Sequence, residues 1–85
     1  MKEDIKYFLN DYYVLLEALV ENEVEGKRGK FVPLSQNDLA NETEFSKAKI
    51  NKLIRKLIAD GYVEIIDNGK YSLTKKAKDV YKDLK

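Results

Sequence analysis

Five cations and no acid stand between Ser46 and Lys56: Lys47, Lys49, Lys52, Arg55 and Lys56. Like charges set this closely repel one another, and a polyanion relieves that repulsion. A merely solvated helix face usually mixes signs, so the run points to phosphate binding. At about 100° per residue, Ile50, Leu53, Ile54 and Leu57 fall on one side of a helix, with Ile58 at the margin. Ala48, Asn51, Lys52, Arg55 and Ala59 fall on the other side, flanked by Lys47, Lys49 and Lys56. The small Ala48 would let such a helix sit deep in a groove. Lys47, Ala48, Asn51 and Lys52 are then nearest to base edges, Asn51 suiting adenine and Lys52 guanine. Ser46, Lys49, Arg55 and Lys56 suit phosphates, aided by the positive helix end at Ser46.

Other chemistry has little to work with. The sequence contains no histidine and no cysteine, which removes the commonest general base and the commonest soft metal ligands. Serine and carboxylates are present, but no base–nucleophile pair can be assembled, so no catalytic residue, metal or cofactor is expected. No stretch is long and apolar enough to span a bilayer, and Met1-Lys2-Glu3-Asp4 lacks the layout of a signal peptide. A cytoplasmic protein is the expectation.

Charge is polarised along the chain. Met1 to Glu25 holds two lysines against seven acids, a net of −5, which leaves +6 for the remainder of a chain whose total is +1. One region suits phosphates and another does not.

The elements that must position these residues can be read in turn. Ile5, Phe8, Leu9, Tyr12, Leu15, Leu16 and Leu19 recur at helical spacing, predicting a helix over 4–23. Glu25-Gly26-Lys27-Arg28-Gly29-Lys30 reads as a glycine-punctuated basic loop, able to lie free in solvent or to touch a nucleic-acid backbone. Phe31-Val32-Pro33-Leu34 reads as a short edge strand. Ser35 with Asp38 three residues on predicts a capped helix from Gln36 to Asn41 or Glu42. Ser46 caps a second helix that runs to Asp60 and stops at Gly61. Tyr62 to Ile66 and Lys70 to Thr74 flank Asn68-Gly69, the strongest short signal for a hairpin turn. Thr74 can cap a last helix over 75–84, with an apolar stripe of Ala77, Val80, Tyr81 and Leu84. The six tyrosines are assigned to packing before base stacking.

The segments Leu34-Ser35-Gln36-Asn37-Asp38-Leu39-Ala40, the Ser46 cap, Leu57 to Val63 and Leu73-Thr74-Lys75-Lys76-Ala77 resemble winged helix-turn-helix regulators of the MarR type and their relatives. The resemblance covers about residues 34–84. It implies a mainly α fold with a small β-hairpin: one winged-helix domain over 1–85, its helix-turn-helix at 35–60 and its wing at 62–74. It also implies a second motif helix in the major groove of double-stranded DNA and a homodimer formed by terminal helices. The wing tip would bring Asn68 and Lys70 to the backbone. Three positions depart from the pattern: Glu44 where the turn usually has glycine, Thr43 in place of an apolar residue, and a wing tip whose lysine is offset by Asp67.

The apolar surface of the first helix is wider than one stripe, so it either covers the core of its own chain or meets a second copy. For so short a chain the second copy is expected, through Ile5, Phe8, Tyr12, Tyr13, Leu16, Val80, Tyr81 and Leu84. The function expected is a sequence-specific DNA-binding repressor without a separate effector domain. The alternative is a winged-helix protein–protein adaptor in a replication, transcription or phage-derived complex, which the weak wing and acidic first helix would suit.

Overall fold

A computed structural model describes residues 2–27, 29–66 and 69–84, with side chains described for 11–27, 29–66 and 69–83. The elements run α1 (Lys2–Glu21), β1 (Val24–Gly26), β2 (Gly29–Phe31), α2 (Gln36–Thr43), α3 (Lys47–Ala59), β3 (Val63–Ile66), β4 (Lys70–Leu73) and α4 (Lys75–Leu84). Together they form a winged helix-turn-helix: α2 and α3 are the motif, and the β3–β4 hairpin is the wing.

Helix α1 ends at Glu21, two residues earlier than the periodicity predicts. The Asn22 side chain donates to the Ala18 carbonyl at 2.8 Å and closes the last turn. Of its described side chains, Leu15, Leu16, Ala18 and Leu19 are buried. They meet Leu39 of α2, Ile50, Leu53, Ile54 and Leu57 of α3, and Val32, Val63, Tyr71, Leu73 and Ala77 in one core. Burying a single side chain of the Leu or Ile class contributes roughly 1.5–3 kcal/mol, which makes the apolar side of α3 the main anchor of that helix.

The glycine-punctuated stretch is not a loop. It folds into a hairpin in which Val24 pairs with Phe31, Glu25 with Lys30 and Gly26 with Gly29. A Cβ on Gly26 would stand 2.7 Å from the Phe31 ring, so glycine is what lets the ring close over the strand. The edge strand expected over 31–34 shrinks accordingly. Phe31 ends β2, Val32 makes a single bridge to Tyr71, and Pro33, without an N–H, leads the chain to the cap of α2. The bridge is antiparallel, with the Val32 N–H donating to the Tyr71 carbonyl at 2.8 Å. Strand β2 therefore runs against β4, and its Gly29 end lies toward Leu73, away from the wing tip.

In the wing, Val63 pairs with Leu73, Glu64 with Ser72, Ile65 with Tyr71 and Ile66 with Lys70. Thr74 joins wing to α4. Its hydroxyl donates to the Gly61 carbonyl at 2.7 Å and accepts the Ala77 N–H at 3.2 Å.

Candidate nucleic-acid interface

The site begins with two helix caps. Ser35 Oγ accepts the Asp38 N–H, and the Asp38 carboxylate accepts the Ser35 N–H in return, a complete capping box. Ser46 Oγ accepts the Lys49 N–H at 3.1 Å and fixes where α3 starts. Between them lies the turn. Glu44 takes the left-handed conformation (φ 64°, ψ 14°), so the residue that replaces the usual glycine is held in strain rather than relieved by a longer turn. Thr43 explains its own departure from the pattern. Its hydroxyl donates to the Leu39 carbonyl at 2.7 Å and accepts the Phe45 N–H at 3.2 Å, which ends α2 and starts the turn.

Helix α3 presents its two faces as the periodicity predicts. Ile50, Leu53, Ile54 and Leu57 are buried, Ile58 is half-buried, and Ala48, Asn51, Lys52, Arg55 and Ala59 are exposed. The cations are not equivalent. Lys47, Lys52 and Arg55 are exposed, and none has an ion-pair partner among the described residues. Lys49 is drawn back by Asp11 of α1, 2.8 Å from its Nζ, and lies 4.4 Å over the Phe45 ring. Lys56 is 3.5 Å from Asp60 one turn on. The acid-free run along the chain is therefore opposed in space at two of its five cations.

Asn51 is tethered as well. Its Nδ2 donates to Gln36 Oε1 at 3.3 Å, and Gln36 Nε2 donates to the Tyr71 hydroxyl at 3.2 Å. This chain links the exposed face of α3, the first residue of α2 and the wing strand β4. Sequence reasoning passed over Gln36, whose only signal was a polar side chain directly after a cap.

Of the wing residues, Asn68 lies outside the described residues. Lys70 is exposed and sits 4.8 Å over the Phe31 ring, so its charge is held against β2. Ile65, paired with Tyr71, is 60% exposed, an apolar side chain on the wing surface. Lys27 and Lys30 are exposed, and β2 directs that basic stretch away from the wing tip.

The residues expected at a dimer interface are spread differently. The side chains of Ile5, Phe8 and Leu84 lie outside the described residues. Leu16 is 4% exposed and belongs to the core cluster of its own chain. Tyr12 and Tyr81 pack against that core, half-buried. Tyr13 stacks on Tyr81 within the chain at 5.9 Å between ring centres, and Val80 is half-buried. A hydrogen bond with Glu17 holds the Tyr13 hydroxyl above its ordinary pKa. Tyr12, Tyr13, Leu16, Leu57, Tyr62 and Val80 line a cavity of about 220 Å³, together with Lys56 and Asp60.

Among the described residues no helix is long and apolar enough to cross a membrane. A family model described as winged helix-turn-helix DNA-binding matches residues 33–64, a segment that takes in the cap of α2, the turn, α3 and the first wing residues. It identifies the winged helix-turn-helix in general, not its MarR-type branch. No curated protein and no solved structure matches the chain.

Proposed function

We propose that the protein is a sequence-specific double-stranded DNA-binding regulator that places α3 in the major groove. What carries this reading is the exposed trio Lys47, Lys52 and Arg55, unpaired among the described residues, on the outer face of a capped helix within a segment matched by a DNA-binding family model. Ala48 and Asn51 stand on the same face, near the base edges, while the N–H groups of the first turn and the cations meet phosphates. The wing contributes less, through Lys70. The protein acts as a homodimer joined through α1 and α4, and as a repressor that occupies its site. The half-buried aromatic edge formed by Tyr12, Tyr13 and Tyr81 supports that assembly, and sedimentation at twice the chain mass is its test.

The test of groove binding is charge reversal, Lys52→Glu with Arg55→Glu, assayed by gel shift on a duplex selected from a random library. We expect no shifted band and an unchanged melting profile. A variant that shifts DNA as well as the wild type overturns the placement of α3.

One observation favours a second reading, a protein–protein adaptor: Ile65 and Ile66 are 60% and 38% exposed on the wing. Absence of DNA binding at low salt, with a partner retained through the wing, decides for it.

A further inference from the structure

We infer that Gln36 is a specificity-determining positioning residue: it fixes the Asn51 amide so that α3 prefers adenine at one position of its site. The inference rests on the DNA-binding reading above. It starts from Tyr71, which is 6% exposed in the core and whose place is set by the pairing of β4 with β3 and with Val32. A buried tyrosine needs a partner for its hydroxyl, and Gln36 Nε2 supplies one at 3.2 Å. Gln36 is itself held at the first position of α2 by the Ser35–Asp38 capping box. Its remaining amide end, Oε1, accepts from Asn51 Nδ2 at 3.3 Å.

A side-chain amide has two N–H donors and one carbonyl. With one N–H taken by Gln36, Asn51 keeps one donor and one acceptor for a partner in front of α3. Adenine offers the complement in the major groove, an N7 acceptor beside an N6 donor, whereas guanine offers two acceptors. Turning the Asn51 amide over would set its carbonyl against the Gln36 carbonyl, an arrangement with no proton between two acceptors. The tether therefore selects one of two amide orientations before DNA arrives. It reaches back to a core tyrosine, so the orientation is built into the fold rather than into the flexible side chain.

The experiment is selection of bound duplexes from a random-sequence library, read by sequencing, with the full chain. Wild type should enrich adenine at one position of each half-site, and Asn51→Ala should lose that enrichment. Gln36→Leu should lower the adenine preference there by roughly three- to tenfold while other positions keep theirs, a good bidentate contact being worth about tenfold or more. Gln36→Glu supplies an acceptor for both Asn51 and the Tyr71 hydroxyl. It should restore the preference even where its added charge weakens overall affinity, which a merely structural role for Gln36 would not produce. Gln36→Leu with the wild-type preference intact overturns the inference, as does Asn51→Ala with no change at any position. A wild type that enriches no sequence overturns the DNA-binding reading, and this inference with it.

Discussion

The two kinds of cation on α3 should separate in the salt dependence of binding. Lys47, Lys52 and Arg55 are exposed and unpaired among the described residues, whereas Lys49 already has a carboxylate at 2.8 Å and an aromatic ring beneath it. Each phosphate neutralised adds about 0.9 to the slope of log K against log salt. Three contacts per protomer make six in the homodimer and give a slope near −5.4, or an affinity that falls roughly 1,800-fold from about 50 to 200 mM salt. Replacing Lys52 and Arg55 by glutamine should leave one contact per protomer, two in the dimer, and a fall of only about 12-fold over the same range. Lys49→Gln should leave the slope within about 0.3 of wild type, because that charge is already compensated. Fluorescence anisotropy of a labelled duplex reads all three slopes, and circular dichroism checks that the exposed substitutions leave the fold unchanged. If Lys49→Gln lowers the slope as far as Lys52→Gln alone, the Asp11 pair does not withhold Lys49 from DNA. If the double variant keeps the wild-type slope, the outer face of α3 does not meet phosphates.

The strained turn and the Glu23 pair give stability predictions. A non-glycine residue in the left-handed region costs about 1–2 kcal/mol, offset by the roughly 0.5–1 kcal/mol that glycine loses in chain entropy. Glu44→Gly should therefore melt about 3–6 °C above Glu44→Ala, which removes the same carboxylate but keeps the strain; equal melting temperatures would show that φ at residue 44 is not positive in solution. Lys78 Nζ lies 3.2 Å from Glu23 Oε1, and Glu23 Oε2 is buried without a hydrogen-bond partner among the described residues. Lys78→Met should destabilise by about 1–3 kcal/mol, and adding Glu23→Gln should recover at least half of that. A Lys78→Met protein that melts with the wild type would show the pair to be idle.

What could be read along the chain was whatever is encoded locally. Ser35 with Asp38, Ser46, Gly61 and Thr74 state their roles within four residues of themselves, and each takes that role in the fold. The four buried residues of α3 follow from period alone. Pairing between distant segments could not be read that way. Asp11 and Lys49 lie in different helices, so a run of five cations looks unopposed until α1 is packed across it. Gln36 gains its meaning only when β4 delivers the Tyr71 hydroxyl from far along the chain. The glycines around Lys27 signal a reversal, but whether a reversal closes into a hairpin depends on its flanks, and here Phe31 lying over Gly26 does that. Leu16 shows the same limit in an apolar residue: period places it on a face, and only packing says that the core of its own chain takes it in.

The opposed directions of the two hairpins make the molecule easy to instrument. Strand β2 runs against β4, so the exposed Lys27 stands at the end of its hairpin remote from the wing tip. The sequence contains no cysteine, so Lys27→Cys would introduce a single thiol for a fluorophore or a surface tether. Exposed tips of this kind also accept inserted sequence with little effect on the core. A reporter carried there would stand away from the wing tip, and DNA occupancy could be followed on single molecules without modifying a residue of the reading face.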